Sequence, residues 1–176
     1  MLSSKLNFPR LAERWHQLTR LLLGQQLVIS LNVEGEGAAD QVLAAYARGV
    51  RHFPRAVLDY AELYQVDLRY IVLTGAKLSK IDFWKADLRG ADFSYADLSG
   101  ANLIESNLAN VNFLGANLAG ADLIGANLTG AVLRNACLRN SDLSGADLMD
   151  ADLTGADLEG AILAQVRWTA EEARAW

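Results

Sequence analysis

The chain has 176 residues, is 52% hydrophobic and carries a net charge of −5, which suits one domain with an extension and a sizeable core. Residues 1–55 hold seven Lys/Arg against four Asp/Glu, whereas residues 56–176 hold nine against seventeen, so the body is acidic and unsuited to gripping phosphates. A single cysteine, Cys137, excludes an internal disulfide, and with only His16 and His52 beside it a zinc site has too few ligands.

Residues 1–37 form an extension. Pro9 to Leu23 reads as an amphipathic helix, with Leu11, Trp15, Leu18 and Leu22 on one stripe and Gly24 as its stop. Leu27, Ile29, Leu31 and Val33 alternate as a strand would over 27–33, and Gly35-Glu36-Gly37 is a joint. The extension is expected to pack on the flank or top of the body. Attachment to a membrane surface through Arg10, Arg14 and Arg20, or to a partner, are the rival readings. Leu21 to Leu31 is the most apolar stretch, but Gly24, Gln25 and Gln26 break it, which makes it too short for a membrane span and a poor signal-peptide core. A cytoplasmic location is therefore expected. Residues 38–55 contain a short helix over 40–48, with Val42, Leu43 and Tyr46 on one side and Gly49 as its stop, and a lead-in segment.

From Ala56 to Trp168 a five-residue pattern takes over. Every fifth residue from Leu58 to Leu163 is Leu or Phe, including the central ladder Leu88, Phe93, Leu98, Leu103, Leu108, Phe113, Leu118 and Leu123. Two residues before each centre stands a small or β-branched residue, and one before it usually Asp or Asn. Two after it is often Gly. An α-helix advances 100° per residue, so a five-residue period would carry the Leu around the cylinder and define no face. A plain strand alternates with period two, so an odd period would flip each Leu to the opposite face. A chain that turns a corner every five residues satisfies the pattern: centre and small residue point inward, and Gly sits in the turn. Sides of three extended residues span ~10 Å, close to the spacing of facing sheets, and four of them close a coil of twenty residues. Coils stacked ~4.8 Å apart give a parallel solenoid of between five and six coils, roughly 27 Å long. Gly, Asn and Asp at the corners tolerate the positive φ of a type II turn. The corners at Tyr60, Gln65, Tyr70, Lys80, Lys85, Tyr95 and Glu105 are expected to use another turn, with negative φ.

The repeated A(D/N)LxG motif resembles the pentapeptide-repeat family, cyanobacterial-type members above all. The resemblance implies an all-β solenoid, a right-handed quadrilateral parallel β-helix with α-helical caps, here joined to an α/β N-terminal extension. It also implies a capping helix followed by a segment like Arg48-Gly49-Val50-Arg51-His52-Phe53. Raw solenoid ends need covering. Tyr46 at one end, and Trp168 with Trp176 at the other, are candidate end-cap anchors. Thr169-Ala170-Glu171-Glu172 is a capping-box pattern that opens a C-terminal capping helix over 169–176.

No phosphate loop, nucleophile elbow or HExxH motif occurs, so no catalytic residue and no cofactor is assigned. Residues twenty apart fall in one column, such as Glu62, Asp82, Asn102, Asp122, Asp142. Such carboxylates could hold a cation, but the repetition speaks for turn or ladder hydrogen bonds and no metal ligand is assigned. Cys137 takes an outward place beside Leu138. The place just after the centre gives one column of Tyr64, Trp84, Ile104 and Ile124, an apolar stripe on an outward face. Either a protein partner or residues 1–33 are expected to cover it. Between Arg89 and Arg134 there is no cation, which makes Asp92, Asp97, Glu105 and Asp122 a candidate acidic band. The leading reading is a non-catalytic scaffold for a protein partner. The resemblance also implies a rival: some members mimic DNA and bind type II topoisomerases such as gyrase, and the acidic body allows it. Direct nucleic-acid binding is not expected.

Overall fold

A computed structural model describes residues 34–35 and 37–169. The sequence expectations for the helix over 9–23, the strand over 27–33, Trp176 and the C-terminal helix fall outside them.

The helix α1, Ala38–Ala47, buries Ala38, Val42 and Ala45. It ends in a Schellman motif: the Val50 N–H donates to Ala45 O at 3.1 Å and the Gly49 N–H to Tyr46 O at 2.9 Å. Gly49 adopts φ 92°, a left-handed conformation that glycine enters without steric cost. Tyr46 ties the helix to the body. Its hydroxyl donates to Arg69 O at 2.9 Å, and the Arg51 guanidinium lies 3.7 Å from the ring centroid.

From His52 onward one residue in every five forms a parallel bridge to the residue twenty further on, from His52 with Val72 to Asp147 with Arg167. A five-residue side and a twenty-residue return make four faces. The repeat begins one side earlier than Ala56, because Phe53 is fully buried and its N–H already donates to Val72 O at 2.8 Å. Each side from that of Phe53 to that of Leu143 makes three bonds to the next coil. Around Leu58 these are Leu58 N–H to Lys77 O, Tyr60 N–H to Ser79 O and Lys77 N–H to Ala56 O. Each β contact is a single bridge, because the chain turns before a longer strand can form.

Centres and small residues point inward as the pattern requires. The core runs from Val42 of α1 through Leu88, Phe93, Leu98, Leu103, Leu108, Phe113, Leu118 and Leu123 to Ala156. Phe93 and Phe113 stack in successive coils with centroids 5.4 Å apart, and Phe83 tilts against Phe93 at 6.0 Å. Ser106 and Ser141 replace Ala at inward places. Each buried hydroxyl donates to a turn carbonyl at 2.7 Å, Leu103 O and Leu138 O, so neither is left unpaired.

The corners depart from expectation. Tyr60, Gln65, Tyr70, Lys80, Lys85, Tyr95 and Glu105 have φ between 53° and 61°, like the glycine corners. The negative φ expected for them is wrong. From Arg55 to Gly145 each corner N–H donates to the next coil, as Tyr70 does to Arg89 O at 3.0 Å, so a single stacking geometry fixes these corners alike. The stacked hydrogen bonds override a local penalty of about 1–2 kcal/mol per non-glycine residue.

Candidate functional site

The face centred on Leu63, Phe83, Leu103, Leu123, Leu143 and Leu163 carries the apolar column. Bridges join Glu62 to Asp82, Asp82 to Asn102 and Asn102 to Asp122, so Tyr64, Trp84, Ile104 and Ile124 stand on successive coils in register. Tyr64 is 51% exposed and Ile124 38%, while Trp84 and Ile104 are half-buried. Three of the four are held at the backbone by the preceding bridge residue. Asp82 Oδ1 accepts from Trp84 N–H at 2.9 Å, Asn102 Oδ1 from Ile104 N–H at 3.2 Å and Asp122 Oδ1 from Ile124 N–H at 3.3 Å. The column ends at Ser144. One flank is acidic, with Glu62, Asp82, Asp122 and Asp142 in the bridge column. On the other, Lys85 pairs with Glu105 at 3.2 Å and reaches within 4.6 Å of the Trp84 ring centroid. The matching places on the other faces are mostly polar, charged or small, as in Thr74, Ser94, Ser79, Ser99, Arg69 and Arg89.

The candidate acidic band is not a patch. Asp92, Asp97 and Asp122 lie on three different faces, and Glu105 is a corner paired with Lys85. Residues five apart occupy adjacent sides of the coil, so a cation-free interval of sequence wraps around the rod.

The carboxylate columns have a structural use. Four consecutive sides carry Asp82, Asp87, Asp92 and Asp97, and the next four carry Asn102, Asn107, Asn112 and Asn117. Asn Nδ2 donates to the Asp below it at 3.0 Å for Asn102 to Asp82, 3.2 Å for Asn112 to Asp92 and 2.9 Å for Asn117 to Asp97. Asp87 instead takes Arg89 at 2.6 Å, with Arg69 at 3.8 Å. The hydrogen bond from Arg89 holds the Asp87 carboxyl below its ordinary range, and that from Arg69 does the same for Asp67. Among the described residues no three His, Cys, Asp or Glu side chains converge to hold a metal. Cys137 is half-buried between Asn117 and Asp157 in its column, and Arg139 pairs with Asp157 and Glu159.

Tyr60, Tyr70 and Tyr95 are between 65% and 68% exposed at corners, and the outward-column reading misses them. A signal for two of them is the glycine twenty residues on. The Tyr70 and Tyr95 rings lie over Gly90 and Gly115. Among the described residues no helix is long and apolar enough to cross a membrane.

A family model described as pentapeptide repeats matches residues 67–103, 96–135 and 126–165. Among solved structures, a pentapeptide repeat protein from Nostoc PCC 7120 is 32% identical over 82% of this chain and 100% of its own, with a TM-score of 0.39. Rfr23, a pentapeptide repeat protein from the cyanobacterium Cyanothece 51142, is 26% identical over 73% of this chain and 99% of its own, with a TM-score of 0.42. A trypsin-treated form of QnrB1, a plasmid-mediated fluoroquinolone resistance protein, is 24% identical over 69% of this chain and 68% of its own, with a TM-score of 0.53, a likeness of fold. No curated protein matches the sequence.

Proposed function

This chain belongs to the pentapeptide-repeat family, and from that premise we propose that it is a non-catalytic scaffold that presents a rigid β-helix face to a protein partner. The observation that carries the reading is the Tyr64–Trp84–Ile104–Ile124 column, four large apolar side chains in register on an outward wall. Contiguous exposed apolar surface of this kind marks interaction sites, and Tyr and Trp are enriched where proteins meet. The acidic bridge column beside it favours a partner with basic residues flanking its apolar contact. The same reading takes the coil as right-handed and quadrilateral, with between five and six turns, α-helical caps at both ends and an α/β extension. It places the protein in the cytoplasm.

The test is an affinity pull-down from host lysate with wild type beside a Trp84→Asp/Ile104→Asp double variant whose circular dichroism is unchanged. Loss of a partner in the variant supports the reading. A partner held equally by both overturns it.

A second reading, mimicry of DNA toward a type II topoisomerase such as gyrase, draws on the acidic excess of residues 56–176. The dispersal of Asp92, Asp97 and Asp122 over three faces gives it no single charged surface. Gyrase supercoiling that is unaffected by micromolar protein, with and without quinolone, sinks it.

A further inference from the structure

We propose that the Tyr64–Trp84–Ile104–Ile124 column receives an amphipathic α-helix of a partner protein. That helix carries apolar residues at spacings of four, three and four along one stripe, and Lys or Arg seven residues apart along one edge of the stripe. The inference rests on the partner reading above and states what the partner must look like.

Charge is distributed on this face unlike on the other three. Its two outward columns, the bridge column from Glu62 to Ile162 and the column from Tyr64 to Ala164, contain no Lys or Arg. Each other face has at least one in the same places: Lys77 and Arg139 on one, Arg69, Arg89 and Arg167 on the next, Arg134 on the last. On the neighbouring face Asp67, Asp87 and Asp147 are each paired with an Arg of that face. Among the described residues Glu62, Asp82, Asp122 and Asp142 form no ion pair. The bonds that Asp82 and Asp122 accept fall on Oδ1, which leaves Oδ2 of each for a cation. Across the column Lys85 and Glu105 neutralise one another. Positive charge on the partner is therefore favoured along one side of its apolar row only. A second copy does not supply it, because its own face is cation-free in the same two columns.

Spacing selects a helix. Tyr64, Trp84, Ile104 and Ile124 span about 14 Å at a coil spacing of about 4.8 Å. Four apolar residues spaced four, three and four along a helix span about 16.5 Å at about 1.5 Å per residue, a mismatch of about 2 Å. Four same-side residues of an extended segment span about 20 Å and drift by about 6 Å. Asn102 interrupts the acidic column, so Asp82 and Asp122 stand two coils or about 10 Å apart, close to the rise of seven helical residues. The two columns lie about 7 Å apart across the side, within the width of one helix at about 10 Å. The wall is also pre-formed: bonds from the Trp84, Ile104 and Ile124 N–H groups to the bridge column fix its backbone, so little order is lost on binding.

The probe is a synthetic, terminally blocked helix of Ala, Leu and Lys with that Leu spacing and two Lys seven residues apart on one edge. It is fluorescently labelled and its anisotropy is read with the full chain. Saturable binding is expected, and its absence overturns the proposal. Trp84→Asp/Ile104→Asp is expected to weaken binding at least about tenfold although it adds negative charge. Asp82→Asn/Asp122→Asn keeps the Oδ1 acceptors and is expected to weaken binding about fivefold and to flatten its salt dependence. Asp92→Asn/Asp97→Asn removes the same charge from two other faces and is expected to change nothing. Equal losses in the two Asn pairs overturn the registered contact. A peptide of the same composition with Leu in strand-like alternation is expected to bind at least about tenfold more weakly, and equal binding overturns the helix. Self-association of wild type that Trp84→Asp/Ile104→Asp abolishes, read by sedimentation, overturns the proposal and assigns the column to a second copy. A probe that fails while a lysate partner is still lost from Trp84→Asp/Ile104→Asp removes the basic helix and keeps the partner reading. A probe that binds in register while every lysate partner is held equally by wild type and variant sustains the helix-binding face and removes the partner reading.

Discussion

Tyr70 lies across Gly90, one coil further along the stack, so closely that a Cβ on Gly90 would stand 2.7 Å from the ring carbons Cδ1 and Cε1. Gly120 has the same φ of +65° and nothing within 4 Å of that place. The pair separates two costs that usually travel together. Gly120→Ala meets only the left-handed backbone and is expected to destabilise by about 1 kcal/mol. Gly90→Ala must also push aside an exposed ring and is expected to cost about 0.5–1 kcal/mol more. In a Tyr70→Ala background that excess disappears. Denaturant midpoints for the four variants and wild type form the test, and an excess that survives Tyr70→Ala rejects the ring as its source.

The non-glycine corners predict the opposite sign. Gln65 sits at φ 56° and its N–H donates to Trp84 O at 2.7 Å, an interaction that any residue at 65 keeps. Gln65→Gly removes left-handed strain of about 1–2 kcal/mol and adds unfolded-state entropy worth about 0.5–1 kcal/mol, for a net gain of about 0.5–1 kcal/mol. Thermal unfolding is expected to shift upward. A downward shift would place a stabilising side-chain contact at Gln65.

Acid stability follows from the depressed carboxyls. Asp67 and Asp87 are lowered by hydrogen bonds from Arg69 and Arg89, and Asp142, Asp152 and Asp157 by bonds from Ser144, Thr154 and Arg139, from an ordinary value of 3.8. A folded-state value below the unfolded one means that the native state binds fewer protons. The contribution is complete above the unfolded value and fades as pH falls through the folded values. Melting temperature is therefore expected to be flat above about pH 5 and to fall below about pH 4. The double variant Arg69→Gln/Arg89→Gln is expected to show a shallower fall. An identical acid limb would remove these pairs from the account. The pairs are exposed, so the effect at neutral pH is small.

How much of this is legible in sequence depends on what each residue answers to. Leu88 through Leu123 mark the solenoid because burial of every fifth residue leaves an unbroken apolar trace, and turn glycines at the same period agree. The Tyr64–Ile124 column follows from the twenty-residue return alone. The corner at Tyr70 is not legible from propensity, because its conformation is set by a bond to Arg89 in the next coil. The acidic interval around Asp92 and Asp97 misleads for a related reason: neighbours in sequence lie on different faces, and each carboxylate meets an amide from the coil above. Phe53 escapes the pattern because the residues before it, Arg51 and His52, lack the Ala-Asp signature, although the backbone already pairs there.

Asn112 tests whether the step from an Asp ring to an Asn ring is functional chemistry or architecture. Its Nδ2 donates to Asp92 Oδ1 at 3.2 Å, while its Oδ1 accepts from Leu114 N–H at 3.1 Å. Asn112→Asp keeps the second bond and replaces the first with two like charges, an arrangement that raises the pKa of the pair. A raised folded-state pKa costs stability at pH 7 and returns it as the pair takes up a proton on acidification. The variant is expected to be about 1 kcal/mol less stable than wild type at pH 7 and to close much of that gap near pH 5. Asn112→Ala loses both bonds without adding a charge, so its deficit is expected to stay constant between those pH values. If the two variants show the same pH dependence, the Asn amide is not what relieves Asp92, and the alternation of Asp and Asn around these coils needs another physical cause.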